Sequence, residues 1–381
     1  GIGNATAYGI ESGDGANITN TGYVSALASS VSGPALGYGI QISGDGEVTN
    51  SGTIIGSTAS VQFTQGGNTL SLLSGTNLQG ALDLGGAGGN TLNVGPGLNT
   101  FYTFTSLPEF INVNGEPIEE AGNAVLQGNQ LAVVDVTGFA TTDEILTDVT
   151  RAITGAVEGH LEAQRACHRD HRTDMGDVTV TPVADLPAMH TTCGTGMWGT
   201  IFGGYSRLEE TRETSRLEHG FGGVMVGYDT SLSEETVGGV FAVFAKAEAI
   251  TPNDNYSNDM TSGYGGAYIG HEAGHMFFGL SVMAGVMNSD QDRLVNNNLV
   301  AGGLEVAASD YDGIVFSPAL RMGLEHELGV STLTPSVRVR YAGLYLDNYR
   351  ETGSAANLAV DDRDVHVFEV RGELALGVDA H

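Results

Sequence analysis

The sequence predicts an all-β chain in three parts: a right-handed parallel β-helix solenoid, one linker α-helix, and an antiparallel transmembrane β-barrel with about eight strands present. Three observations lead there. Short glycine-rich units repeat in the first third, an apolar stripe of spacing four follows them, and long runs of alternating polarity fill the remainder.

The solenoid rests on recurrence. Tyr8-Gly9-Ile10, Gly13-Asp14-Gly15 and Thr19-Asn20-Thr21-Gly22 return as Tyr38-Gly39-Ile40, Gly44-Asp45-Gly46 and Thr49-Asn50-Ser51-Gly52. Gly66-Gly67-Asn68-Thr69-Leu70 returns as Gly88-Gly89-Asn90-Thr91-Leu92. Periods of this size belong to stacked repeats whose units cannot bury an apolar face alone. The Gly, Asn and Asp between the short strands supply left-handed turn conformations. Calcium-binding nonapeptides would need glycine and aspartate in tandem, whereas here they occur once per coil. No lysine or arginine precedes Arg151, so residues 1–135 form a compositionally separate stem.

The helix is read over residues 141–166. Ile145, Val149, Ile153, Val157 and Leu161 recur every four residues with Leu146 beside them, and Thr141 or Thr142 can cap the start. Such a helix is about 39 Å long, more than the ~25 Å apolar band of an outer-membrane barrel. It could thread a pore or lie on a soluble surface.

The barrel rests on strands with one greasy and one polar face. Leu333, Pro335, Val337, Val339 and Tyr341 alternate with Thr334, Ser336, Arg338 and Arg340. Phe316, Pro318, Leu320, Met322 and Leu324 alternate with Ser317, Ala319, Arg321 and Gly323. Phe278 to Ala284 and Phe368 to Leu376 repeat the pattern. Arginines and carboxylates at mid-strand positions suit a water-filled lumen better than a soluble sandwich. The lumen charge candidates are Arg321, Arg338, Arg340, Glu369, Arg371 and Glu373, and the four arginines are expected to hold the acidic side of the helix, including Asp148 and Glu158.

Charge excludes other classes. With 45 acidic and 15 basic residues, a net charge of −30 and one lysine, Lys246, no basic surface can displace counterions from nucleic acid. The 57 glycines exclude a helical bundle, and the 16% of charged residues are too few for a disordered acidic chain. The longest apolar run, Met276 to Met287, has 12 residues, which excludes a spanning helix but not spanning strands. The chain opens on glycine without a leader, so any export signal is expected upstream.

Leu131 to Ala166 resembles the passenger–translocator junction of autotransporters, and Met197-Trp198-Gly199-Thr200-Ile201-Phe202-Gly203-Gly204-Tyr205 resembles their first barrel strand. The resemblance implies a β-helical passenger stem at 1–135, a junction and pore-threading helix at 136–166, a periplasmic loop at 167–196 and a truncated β-barrel at 197–381. It also implies an outer-membrane location with the passenger at the cell surface, contact with outer-membrane lipid, assembly by periplasmic chaperones and the barrel-assembly machinery, and a monomeric barrel. No nucleic acid, cofactor or enzymatic activity is implied for the translocator. The family's barrel has about twelve strands, so about eight are too few to enclose a helix, and function would belong to a longer protein. Adjacent asparagines, which some members cleave, are missing from residues 141–166.

Two motifs compete with this reading. His271-Glu272-Ala273-Gly274-His275 matches a zinc-peptidase pattern, which would make a secreted metallopeptidase, but needs a helix that the surrounding glycines oppose. Cys167 and Cys193 can form a disulfide, closing about 27 residues for roughly 3–4 kcal/mol; with His171 and His190 they could instead bind zinc. A third functional reading is a surface adhesin or glycan-binding β-helix, which needs exposed aromatics or polar ladders along one face.

Overall fold

The computed structural model describes residues 4–173, 195–211, 214–251, 255–328 and 331–378. The stem is a parallel β-helix. Its first coil holds β1 (Ala5–Ser12), β2 (Ala16–Asn20) and β3 (Tyr23–Ala26), and its second holds β4 (Ala35–Ile42), β5 (Gly46–Asn50) and β6 (Thr53–Phe63). Shorter coils follow with β7 (Thr69–Leu72), β8 (Asn77–Asp83), β9 (Thr91–Val94), β10 (Thr100–Ser106) and β11 (Phe110–Val113). The sequence repeats are the register of the stack: Tyr8 lies beside Tyr38, Asn20 beside Asn50, and Leu70 beside Leu92, all in parallel.

Alternation within each short strand sends Ile40, Ile42, Val48, Ile54, Val61, Leu70 and Leu92 into one dry core. The repeated asparagines lie at its corners. Asn20 Nδ2 donates to Asn50 Oδ1 at 2.7 Å, and Asn68 Nδ2 donates to Asn90 Oδ1 at 3.1 Å. A fully buried carboxamide is tolerable because its partners are other carboxamides and turn carbonyls. Gly67 follows the same logic: its φ of 82° disfavours any side chain.

The stem ends in β12 (Glu116–Pro117) and the hairpin β13 (Ala124–Gln127) and β14 (Gln130–Val133), with β14 antiparallel to β10. Then comes α1 (Thr137–Thr173), 37 residues long. It starts before and ends after the expected 141–166. The start is capped by Asp135, not by Thr141 or Thr142: Asp135 Oδ1 accepts the Thr137 amide at 3.1 Å. Thr141 already lies inside the helix and donates its hydroxyl to the Thr137 carbonyl at 3.0 Å. At the far end nothing in residues 167–173 stops a helix, since the next glycine and proline are Gly176 and Pro182.

The remaining strands form an antiparallel meander. The long members are β15 (Gly196–Leu208), β16 (Leu217–Ser233), β17 (Thr236–Ile250), β18 (Tyr256–Ala273), β19 (Met276–Asn297) and β20 (Leu304–Leu324). After the short β21 (His326–Leu328) come β22 (Ser331–Leu346), the small pair β23 (Tyr349–Arg350) and β24 (Ala359–Val360), and finally β25 (Arg363–Val378). Eight strands are therefore long, as the alternation predicts. Among the described residues β15 pairs only with β16 and β25 only with β22, so the sheet curls without closing. A helix about 10 Å across on the concave side occupies the space an eight-strand closure would need.

Candidate functional site: the helix-filled lumen and its mouth

The predicted apolar stripe is buried. Ile145, Val149, Ile153, Val157 and Leu161 are each 7% exposed or less and pack with Trp198, Met225, Phe241, Tyr268, Met283 and Val315 from the inner wall. The opposite, outward face carries the greasy half of the alternation: Val226, Phe244, Leu280, Val286, Ile314, Phe316, Phe368 and Val370 are all exposed. Such a continuous apolar outer face is the arrangement of a lipid-embedded barrel.

Glycines make room inside. A Cβ at Gly227 would lie 2.4 Å from the Trp198 ring, one at Gly239 would lie 2.4 Å from the Tyr268 hydroxyl, and one at Gly270 would lie 2.8 Å from Leu161 Cδ2. Aromatic rings and helix thus fit only where the wall lacks side chains.

The six lumen candidates line the inner side of β20, β22 and β25. Arg338 grips Glu158 with two donors, Nε to Oε1 at 2.9 Å and Nη2 to Oε2. Arg321 Nη1 reaches Glu162 at 3.2 Å and its Nη2 reaches Glu373 at 3.4 Å. Arg340, almost fully buried, donates to Thr150 Oγ1 and, at 2.7 Å, to Glu369. Arg371 contacts only Glu373, at 3.5 Å, from the edge strand, and touches no helix residue among these pairs. Glu158 is thus paired with one of the six, Arg338. Asp148 instead pairs with Arg151 at 3.0 Å and with His219 at 3.1 Å, neither of which is one of the six.

Sequence reading missed a second group. Asp229 on β16 accepts from His160 Nε2 at 2.6 Å, from Gln164 Nε2 at 3.0 Å and from the Tyr268 hydroxyl, while Trp198 Nε1 donates to Tyr268 at 2.7 Å. Single residues without periodicity carry no sequence signal of this.

Also missed was the mouth. The hairpin of β19 and β20 rises beyond the barrel: β19 has 22 residues, roughly 73 Å, against an apolar band of ~25 Å. Its tip, Asn296-Asn297-Asn298, wedges between two coils. Thr100 and Phe101 of β10 run parallel to Asn296 and Asn297. The Asn296 carboxamide imitates a peptide unit, accepting from the Leu78 amide at 3.1 Å and donating to the Leu78 carbonyl at 3.3 Å. Asn298 does the same for Thr103, with both bonds at 2.9 Å. Burial raises the Tyr102 phenol, so its hydroxyl stays protonated and donates to Asn296 at 2.8 Å. The only foresight available was the run of three asparagines itself.

The His-Glu-Ala-Gly-His motif occupies the end of β18 and the turn to β19, with Gly274 at φ 65°. His271 faces Phe278 across a hairpin and bonds Thr236 at 2.9 Å, so the helical face required for zinc hydrolysis is not formed. Purified protein is expected to carry no stoichiometric zinc, and one zinc per chain lost in His271→Ala would contradict this. Cys167 lies near the end of α1 and is not a free thiol. Cys193 and His190 lie outside the described residues.

A curled antiparallel wall, apolar outside and with buried ion pairs within, around a helix fed from a β-helix defines an outer-membrane translocator type of barrel. A family model described as "Autotransporter beta-domain" matches residues 197–381. Translocator domains of that family are transport modules of the outer membrane. Among solved structures the chain is similar to the translocator domain of the autotransporter NalP from Neisseria meningitidis, at 17% identity and a TM-score of 0.43, over 61% of this chain and 71% of that one. It is similar also to the β-domain of the Bordetella autotransporter BrkA, at 16% identity and a TM-score of 0.36, over 48% and 69%. No curated protein matches.

Proposed function

We propose that this chain exports and displays its β-helix at the cell surface, with 197–381 as the membrane anchor, α1 as the strap through the pore and the β19–β20 hairpin as a clamp on the last coils. The observation that carries this is the burial of the α1 stripe against the inner wall. Assembly would draw on periplasmic chaperones and the barrel-assembly machinery, the barrel acting as a monomer and Cys167 pairing with Cys193 in a disulfide. The test is protease shaving of intact cells that produce the full protein with an epitope inserted near Gly13. Loss of the epitope with retention of 197–381 in the outer membrane is expected. An epitope protected until the outer membrane is broken would refute display.

An adhesive role for the stem has one supporting feature. Tyr8 and Tyr38 stack at 5.7 Å on its surface, and a polar row of Gln62 and Asp83, bonded at 2.7 Å, runs along the same sheet. Binding of the stem to immobilised glycans, lost in Tyr8→Ala with Tyr38→Ala, would establish it.

A further inference from the structure

Among the described residues, three carboxylates at the contact between helix and wall each have an arginine. Glu158 has Arg338, Glu369 has Arg340 and Asp148 has Arg151. Asp229, with a side chain 2% exposed, receives hydrogen bonds from Tyr268, Gln164 and His160, and among these partners only the imidazole of His160 can carry a compensating positive charge. His160 sits on α1, so the charge balance of a wall residue depends on the protonation of a helix residue. The ring is also stacked on Trp198 at 4.0 Å with planes 12° apart.

We infer that His160 and Asp229 form a proton-dependent latch that holds α1 in the lumen. With the imidazole protonated, the contact is a charge-assisted bond in a dry site and the buried carboxylate is neutralised. With it neutral, the carboxylate keeps hydrogen bonds but loses its counter-charge, and the helix is held less tightly. The sign follows: retention is strongest on the acidic side and weakens as pH rises. The titratable and charged groups facing His160 from the packed elements are Asp229 on β16 and Tyr268 on β18. The other histidine–carboxylate contact on β16, His219 with Asp148, is already balanced by Arg151 and does not act as a latch.

Trp198 is the chain's single tryptophan and reports on the latch directly. A stacked imidazolium quenches indole emission more than a neutral imidazole does. The full chain in detergent is titrated from about pH 5 to 9, a range that spans ordinary histidine protonation, while Trp198 emission and amide exchange of residues 155–165, corrected for the intrinsic rate, are followed. Emission is expected to rise sigmoidally with pH, and exchange protection to fall by roughly tenfold over the same range. His160→Gln should flatten both curves, Asp229→Asn should flatten the exchange curve, and His219→Gln should leave both as they are. A flat wild-type emission curve, or protection that holds or grows as pH rises, overturns the proposal. So does an unchanged curve in His160→Gln.

Discussion

Glu158→Ala is expected to lower resistance to urea unfolding in detergent by about 3–5 kcal/mol, the range for removing one partner of a buried ion pair. Arg338 is 9% exposed and Glu158 6%, so the truncation leaves a guanidinium in the lumen with only Glu373, at 3.5 Å, to face it. Pairing the change with Arg338→Met removes the stranded charge and should recover most of the loss, because an apolar pair of similar volume is often neutral there. A single-variant effect below about 1 kcal/mol would mean that water screens the pair like a surface bridge.

Arg293→Met is expected to act as strongly and at a distance from the pore. Arg293 is 3% exposed and Glu351 1%. Its Nε donates to Glu351 at 3.0 Å, its Nη2 to the Ala356 carbonyl at 2.8 Å, and its Nη1 to Asn99 of the stem at 3.3 Å. Glu351 in turn accepts the Leu358 amide at 2.8 Å, and Asn99 accepts the amide of Asp135, the residue that caps α1, also at 2.8 Å. One side chain thus joins the surface loop between β22 and β25, the last coils and the start of the helix. Its loss should cost about 3–5 kcal/mol and make residues 347–362 the first site of limited proteolysis. Cleavage beginning elsewhere with the loop intact would show that the loop is held by other contacts.

Much of this fold was legible because its physics is periodic. A stack of parallel coils needs the same residue type at the same place in each turn, so Asn20 announces Asn50 and Leu70 announces Leu92. Lumen and lipid impose opposite demands on successive residues, so Phe316 to Leu324 alternates with Ser317 to Gly323. The stripe from Ile145 to Leu161 gave the helix its buried face. Contacts between these units leave no such trace. Asn298 bonds Thr103 across 195 positions, and His160 finds Asp229 only after both helix and sheet exist. The helix start was misplaced for a related reason: Asp135 precedes the stripe, and its capping role depends on the stem ending there.

The parallel seam between β10 and β19 has a mechanical consequence. Because the hairpin tip occupies the place of a rung between coils, a pull on the stem is borne by two routes at once. One is the covalent chain through α1, and the other is the hydrogen bonds of Asn296 and Asn298 into the rigid β19–β20 ribbon and so into the membrane. Drag or tethering at the surface would therefore load the wall before it loaded the strap, and the stem would behave as a stiff extension of the barrel rather than as a domain on a string.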